Sequence, residues 1–183
     1  VSPNPSSEVQ KMPDSTPNTR LLDPIRAAEH MRGRGIDVLI GTGYVNYGYF
    51  THFGRDYPGP LYNGLPLVRF ATLPADQDVA PFLVTYPGEE GDIVAQGSWI
   101  EDRRFWGPKY SVPGRTDGLA VNEDPVETLA TALEERGLAD ASIGLDMSGV
   151  SAPLWDQVQS ALPRARIIDA GDDFNRLRMI KTS

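Results

Sequence analysis

The chain contains no cysteine. That removes a disulfide framework, thiolate-bound zinc or iron–sulfur, and a cysteine nucleophile. Such a composition fits a reducing cytoplasm, which is the expected location. There are only two histidines, His30 and His52, and they lie far apart in sequence. Neither belongs to a metal-ligand spacing, and no HExxH or GxSxG element is present. No apolar run approaches the roughly 18 residues of a membrane span. The first residues, Val1 to Thr19, carry Pro3, Pro5, Pro13 and Pro17 among Ser, Asn and Asp, without the apolar stretch of a signal peptide. They read as an extended arm, either a tail or an arm packed on a partner subunit.

Excess positive charge is also missing. Against 17 Lys and Arg stand 25 Asp and Glu, a net charge of -8. A surface this acidic repels phosphate backbones and anionic membranes, so neither is an expected partner. With 183 residues and 40% hydrophobic content, the chain suits one domain with a single sizeable core.

Regular structure shows at both ends. Asp23 is a candidate N-cap and Pro24 a first helical residue. Leu22, Ile25, Ala28 and Met31 then recur at three-residue spacing, and Gly33 and Gly35 stop the helix. Ile36 to Ile40 reads as a strand buried on both faces. In the last third, Asp124-Pro125 repeats the cap-plus-proline start. An apolar stripe follows at Val126, Leu129, Ala130 and Leu133, and Gly137 is the stop. Strands at Ser142–Asp146 and Ala165–Asp169 flank a helix with Leu154, Trp155, Val158 and Leu162 on one side. Asp172 is a candidate cap for a final turn holding Phe174 and Leu177.

The middle is less regular. Gly41 to Gly64 is rich in Gly, Tyr, Asn and Pro with no clean period, and reads as short elements and a long loop. Pro66–Leu73 and Val79–Tyr86 form a predicted hairpin around Pro74 to Asp78. A short helix over Glu89–Gln96, a strand over Ile100–Trp106 and a loop over Gly107–Gly118 follow. Together these predict an α/β fold with a mixed sheet of about six strands and helices on both faces.

Tests for chemistry return little. Gly41-Thr42-Gly43 follows a strand, but Asn46 stands where a dinucleotide fingerprint needs its third glycine. His30, late in a helix, reads as structural, favoured there by the helix dipole. Glu134 and Glu135 read as a solvated helix face. No acid/base pair, nucleophile or metal site stands out, so no catalytic residue is assigned. What remains is a soluble α/β domain with one aromatic loop.

Several stretches, in order, carry a resemblance. Gly35 to Ile40 opens it as a "GIDVLI" strand. Asn46-Tyr47-Gly48-Tyr49-Phe50-Thr51-His52-Phe53 resembles an "N-x-x-Y-x-T-G-F" segment, with His52 where glycine is usual. Pro87-Gly88-Glu89-Glu90 resembles a "PxEE" end, Ile143 to Asp146 an "IG-L-D" strand, and Leu177-Arg178-Met179-Ile180-Lys181 an "LRxIKS" junction. In this order the motifs are similar to the N-terminal domain of the creatinase, prolidase and Xaa-Pro aminopeptidase family, over roughly residues 20–183.

The resemblance implies a three-layer α/β/α domain with a ribonuclease H-like motif. It implies no metal in this part and no catalytic residue. A catalytic pita-bread domain with a divalent metal pair (Mn, Co or Zn) would follow Ser183, unless the protein is creatinase-like and works without metal. It further implies a homo-oligomer, a dimer above all, in which this domain packs with its own catalytic domain and reaches over a partner's active site. Phe53-Gly54-Arg55-Asp56-Tyr57 resembles the "FGRxY" stretch of creatinase-like members. His52, Phe53, Arg55 and Tyr57 are thereby the candidate substrate-binding residues in trans, with Arg55 as a carboxylate fork and aromatics as walls. On the residues alone, the favoured reading is that Arg55 pairs with a local Asp and the aromatics pack as core. A stand-alone small-molecule-binding or assembly module of the same fold is the alternative function.

Overall fold

Asp23 starts the first helix. Its carboxylate accepts from the backbone N–H of Ile25 at 3.0 Å and of Arg26 at 3.2 Å, while Pro24 sits where its missing N–H costs nothing. The structure, a computed structural model, describes residues 21–53, 61–62, 65–66, 68–107 and 119–179. The expected arm over residues 1–19 and most of the expected loop over Gly107–Gly118 lie outside these. α1 (Pro24–Arg34) ends at Gly35, whose φ of 64° suits a residue without Cβ. β1 (Val38–Gly41) and α2 (Tyr44–Thr51) follow, then a small ribbon of β2 (Leu61–Tyr62) and β3 (Leu65–Pro66). The hairpin β4 (Phe70–Pro74) and β5 (Phe82–Thr85) leads through a 3-10 turn at Pro87–Glu89 into α3 (Glu90–Ala95). β6 (Asp102–Trp106), β7 (Val121–Asn122), α4 (Pro125–Glu134) and β8 (Ser142–Leu145) come next. A 3-10 turn at Met147–Gly149, α5 (Ala152–Ala161), β9 (Arg166–Asp169) and α6 (Gly171–Met179) complete the order.

The main sheet has seven strands in the order β7-β6-β5-β4-β1-β8-β9. β4 runs antiparallel to β1 and β5, and the other pairs are parallel. Alternation along the central strands divides the core in two. Val38, Ile40, Phe70, Phe82, Val84, Ile143 and Leu145 face one side, under Val126, Leu129 and Leu133 of α4 and Leu154 and Val158 of α5. Leu39, Ala71, Leu73 and Leu83 face the other, with Met31 of α1, Tyr47 and Phe50 of α2, Ile93 of α3 and Phe174 and Leu177 of α6. A sheet covered on both faces is the three-layer α/β/α arrangement expected, and its two-sided burial explains the nearly unbroken apolar reading of β1.

Several local expectations need correction. The mixed sheet of about six strands is observed with seven, the added one being the two-residue β7, too short to show a period. Ile25 is 66% exposed while Ala27 is buried. At 3.6 residues per turn, a strict three-residue spacing drifts off a helix face within two steps. Tyr44–Thr51 is a helix, not irregular loop. Its buried side comprises Asn46, Tyr47, Phe50 and Thr51, so two polar members hide the stripe and no charged face opposes it. Pro66 pairs in the small ribbon and not in the hairpin strand. Asp172 lies inside the first turn of α6, a nine-residue helix, and Asp169 instead accepts from Gly171 N–H at 2.9 Å.

The close fit of the last helix to the sheet depends on Gly144. A Cβ there would stand 2.7 Å from Leu39 Cδ2 and 3.0 Å from the Ala170 Cβ. Gly144→Ala should therefore destabilise the domain by about 1–3 kcal/mol through overpacking, read as a lower urea midpoint at unchanged slope.

Candidate functional site

At the carboxyl ends of adjacent parallel strands, the chain departs in opposite directions. β1 runs into α2 on one face, and β8 runs through its 3-10 turn to α5 on the other. Such a divergence opens the crevice where open α/β sheets commonly bind ligands. Here the protein's own carboxylate fills it. Asp146 is 0% exposed, and its Oδ2 accepts from Gly43 N–H at 2.8 Å and Thr42 N–H at 3.2 Å. Its Oδ1 accepts from the Ser148 hydroxyl at 2.6 Å and the Ser148 N–H at 3.0 Å. The Thr42 hydroxyl donates to the Asp146 carbonyl and accepts from Gly149 N–H at 3.2 Å. Burial alone pushes the Asp146 carboxyl up, but hydrogen bonds from Ser148, Asn46 and Gly43 outweigh it and hold the group below the usual range.

The glycines make this interlock possible. A Cβ on Gly43 would lie 2.0 Å from Ser148 Oγ, and one on Gly149 would lie 2.7 Å from the Thr42 carbonyl carbon. Gly41-Thr42-Gly43 is thus a cradle for an internal carboxylate, not for a nucleotide phosphate. Asp146 closes the "IG-L-D" stretch of the sequence, where an acid after an apolar strand is the available signal for its role.

The expected site residues begin at the end of α2. His52 has φ 56° and ψ 20°, the one non-glycine residue with positive φ among those described. That conformation is the physical reason glycine suits this position, and a Cβ there costs about 1–2 kcal/mol. His52 Nδ1 is buried without a hydrogen-bond partner. Phe53 is 2% exposed and turns inward, its ring edge-on to Tyr47 with centroids 6.5 Å apart. Its N–H donates to the Thr51 hydroxyl at 3.0 Å, and Trp99 Nε1 donates to the Phe50 carbonyl at 2.6 Å. Arg55 and Tyr57 lie outside the described residues.

Beside Phe53 and Tyr47 is a buried ion pair that the sequence did not single out. Arg69 Nε donates to Glu89 Oε2 at 3.0 Å, and its Nη2 donates to Oε1. The Thr85 hydroxyl donates to the same carboxylate. Burial raises the Tyr47 phenol above its ordinary range and the Glu89 charge adds to this, with Thr85 and Arg69 opposing. Tyr86 is pushed up to about 12, mainly by burial. Both phenols are therefore neutral at physiological pH.

His30 has a partner beyond the helix dipole. Its Nε2 lies 2.7 Å from Asp173 Oδ1, which also accepts from Arg34 Nε at 3.1 Å, tying α1 to α6. Glu135 is not simply solvated, since Arg104 Nη2 donates to it at 2.7 Å. Among the described residues, no group of three or more His, Cys, Asp or Glu side chains is placed to hold a metal ion. Nor is any described helix long and apolar enough to cross a membrane.

A family model described as the Creatinase/Prolidase N-terminal domain matches residues 25–180. Among curated protein sequences none matches. Solved structures share the fold. A proline dipeptidase from Streptococcus pneumoniae TIGR4 superposes with a TM-score of 0.60 at 16% identity, over 87% of this chain and 99% of that one. An X-Pro aminopeptidase from Thermotoga maritima MSB8 gives 0.58 at 16% identity, over 87% of this chain but 36% of that one. Dipeptidase PepE from Mycobacterium ulcerans gives 0.58 at 22% identity, again over 87% of this chain and 36% of that one. The chain thus spans about a third of these two longer relatives.

Two outcomes test the geometry. Asp146→Ala should cost on the order of 3 kcal/mol at pH 7, since Thr42 and Gly43 lose a charged acceptor. The depressed carboxyl contributes fully above about pH 5 and loses its contribution as pH falls through the folded value. The gap between the two proteins in urea unfolding should therefore narrow from pH 7 to pH 3, and a constant gap contradicts this account. His52→Gly should hold or raise stability by up to about 1 kcal/mol, whereas His52→Val should lower it, both read by thermal melting.

Proposed function

The chain belongs to the Creatinase/Prolidase N-terminal domain family, and on that basis we propose that it is the accessory domain of a prolidase-like hydrolase. In this reading it builds a homo-oligomer and helps gate substrate at a partner subunit's active site. The observation that carries the reading is the family match over residues 25–180, nearly the whole described fold. Structural relatives described as proline dipeptidase and X-Pro aminopeptidase support it. The catalytic half, with its divalent metal pair, would lie beyond Ser183, and the compartment would be cytoplasmic, as for the cytoplasmic peptidase PepQ of Mycobacterium tuberculosis.

The domain's own contribution is then the stretch that begins at His52 and Phe53. Phe53 is held in the core, so the residues after it in sequence start from a fixed point. Arg55 would bind a substrate carboxylate through its two-donor fork, with Tyr57 and His52 beside it. A buried His52 Nδ1 without a partner supports a polar role for that residue.

In the full-length gene product, Arg55→Ala should raise KM for a dipeptide substrate about tenfold or more, with a smaller change in kcat. Unchanged kinetics would return Arg55 to a structural role. The 183-residue chain alone should show no dipeptide turnover with added manganese or cobalt. Turnover by it, or a small molecule retained through purification, would favour a self-sufficient module instead.

A further inference from the structure

α4 and α5 cover the same face of the sheet, and a groove of about 750 Å³ runs between them. Its bed is small and apolar, with Val126 and Ala130 of α4 opposite Ala161 and Leu162 at the end of α5. Glu127 and Glu134 stand on the α4 wall and Asp156 on the α5 wall. Glu127 and Glu134 are two helical turns apart, so they share a side and lie about 10 Å from each other along the axis. All three acids are exposed. Among the described residues, no cation pairs with any of them. Arg164, which also lines the groove, is engaged by Asp140 at 2.7 Å.

The fold does not call for all of this charge. Glu135 is matched, since Arg104 donates to it at 2.7 Å. Glu134 is not, and it ends α4, whose last turn holds no basic residue. A carboxylate there meets the negative end of the helix dipole, which is unfavourable. An exposed acid that costs stability, with two more over an apolar bed, is an arrangement that a cationic partner relieves. The described surface of this chain is no such partner, because the arginines of α1 and α6 stand among Glu29, Asp172 and Asp173.

We propose that this groove docks a basic helical segment of a different protein. Lysine or arginine side chains two turns apart meet Glu127 and Glu134, a third cation meets Asp156, and small apolar residues lie on the bed. This goes beyond the accessory role proposed above and does not rest on it.

The test uses an alanine-rich helical peptide with lysines seven residues apart, titrated into the 183-residue chain and followed by backbone amide shifts. The peptide should move the signals of Ala130, Thr131 and Ala161, and bind more weakly as salt rises. Glu134→Gln with Asp156→Asn should weaken binding about fivefold to tenfold. Glu134→Gln alone should raise Tm by about 1–3 °C, so that stability is gained where binding is lost. No movement in the groove, equal binding by the double variant, or a lower Tm for Glu134→Gln overturns the proposal. So does equal binding of a peptide of the same composition whose lysines, two residues apart, lie on opposite sides of its helix. Self-association of the free chain that the double variant abolishes would make the occupant a second copy, and overturns it as well.

Discussion

Asp146 carries a charge where no water reaches it, and the layout of the sheet's carboxyl edge depends on how that charge is satisfied. Two backbone N–H groups from the loop after β1 and two donors from Ser148 after β8 share one carboxylate. The two loops cannot separate without stranding a buried anion. β1 and β8 are therefore held as neighbours at the point where their following helices part to opposite faces. The direction of α2, and with it the place of Tyr47, His52 and Phe53, descends from this one group.

A second buried carboxylate plays a similar part a few strands away. Asp146 joins two loops around the topological divergence, and Glu89 joins the hairpin strands to α2 through Arg69 and Tyr47. Both carboxylates follow strand ends, Asp146 after β8 and Glu89 after β5. The same pattern holds at α1 and α6, where Asp173 pairs with His30 and Arg34. Each site spends a buried charge on geometry between elements distant in sequence, which hydrophobic packing, being non-directional, does not specify.

Much of the fold was legible. The caps at Asp23 and Asp124 act on the next backbone N–H groups, the glycine stops at Gly35 and Gly137 take positive φ, and β1 reads as apolar because it is buried on both sides. These are local effects, and local chemistry is what a sequence displays. α2 was missed because its buried face mixes Asn46 and Thr51 with Tyr47 and Phe50, so its period is invisible to hydropathy. The candidate site was legible only as motifs: His52 stood out as a replaced glycine, and its left-handed conformation supplies the reason. Arg69 gave no signal, because an arginine before a strand looks the same whether it faces water or a carboxylate twenty residues on.

By itself, then, the sequence determined where helices and strands start and stop, that both faces of the sheet are covered, and the family resemblance carried by the ordered motifs. Those come from propensity, capping and periodicity, each acting within a few residues. Only the tertiary structure decided that Gly41-Thr42-Gly43 cradles Asp146 instead of a ligand, that His30 belongs to Asp173, and that Glu89 grips Arg69. Each of these joins groups that are twenty to more than a hundred residues apart. The strength of a polar contact depends on burial and geometry that no local pattern encodes.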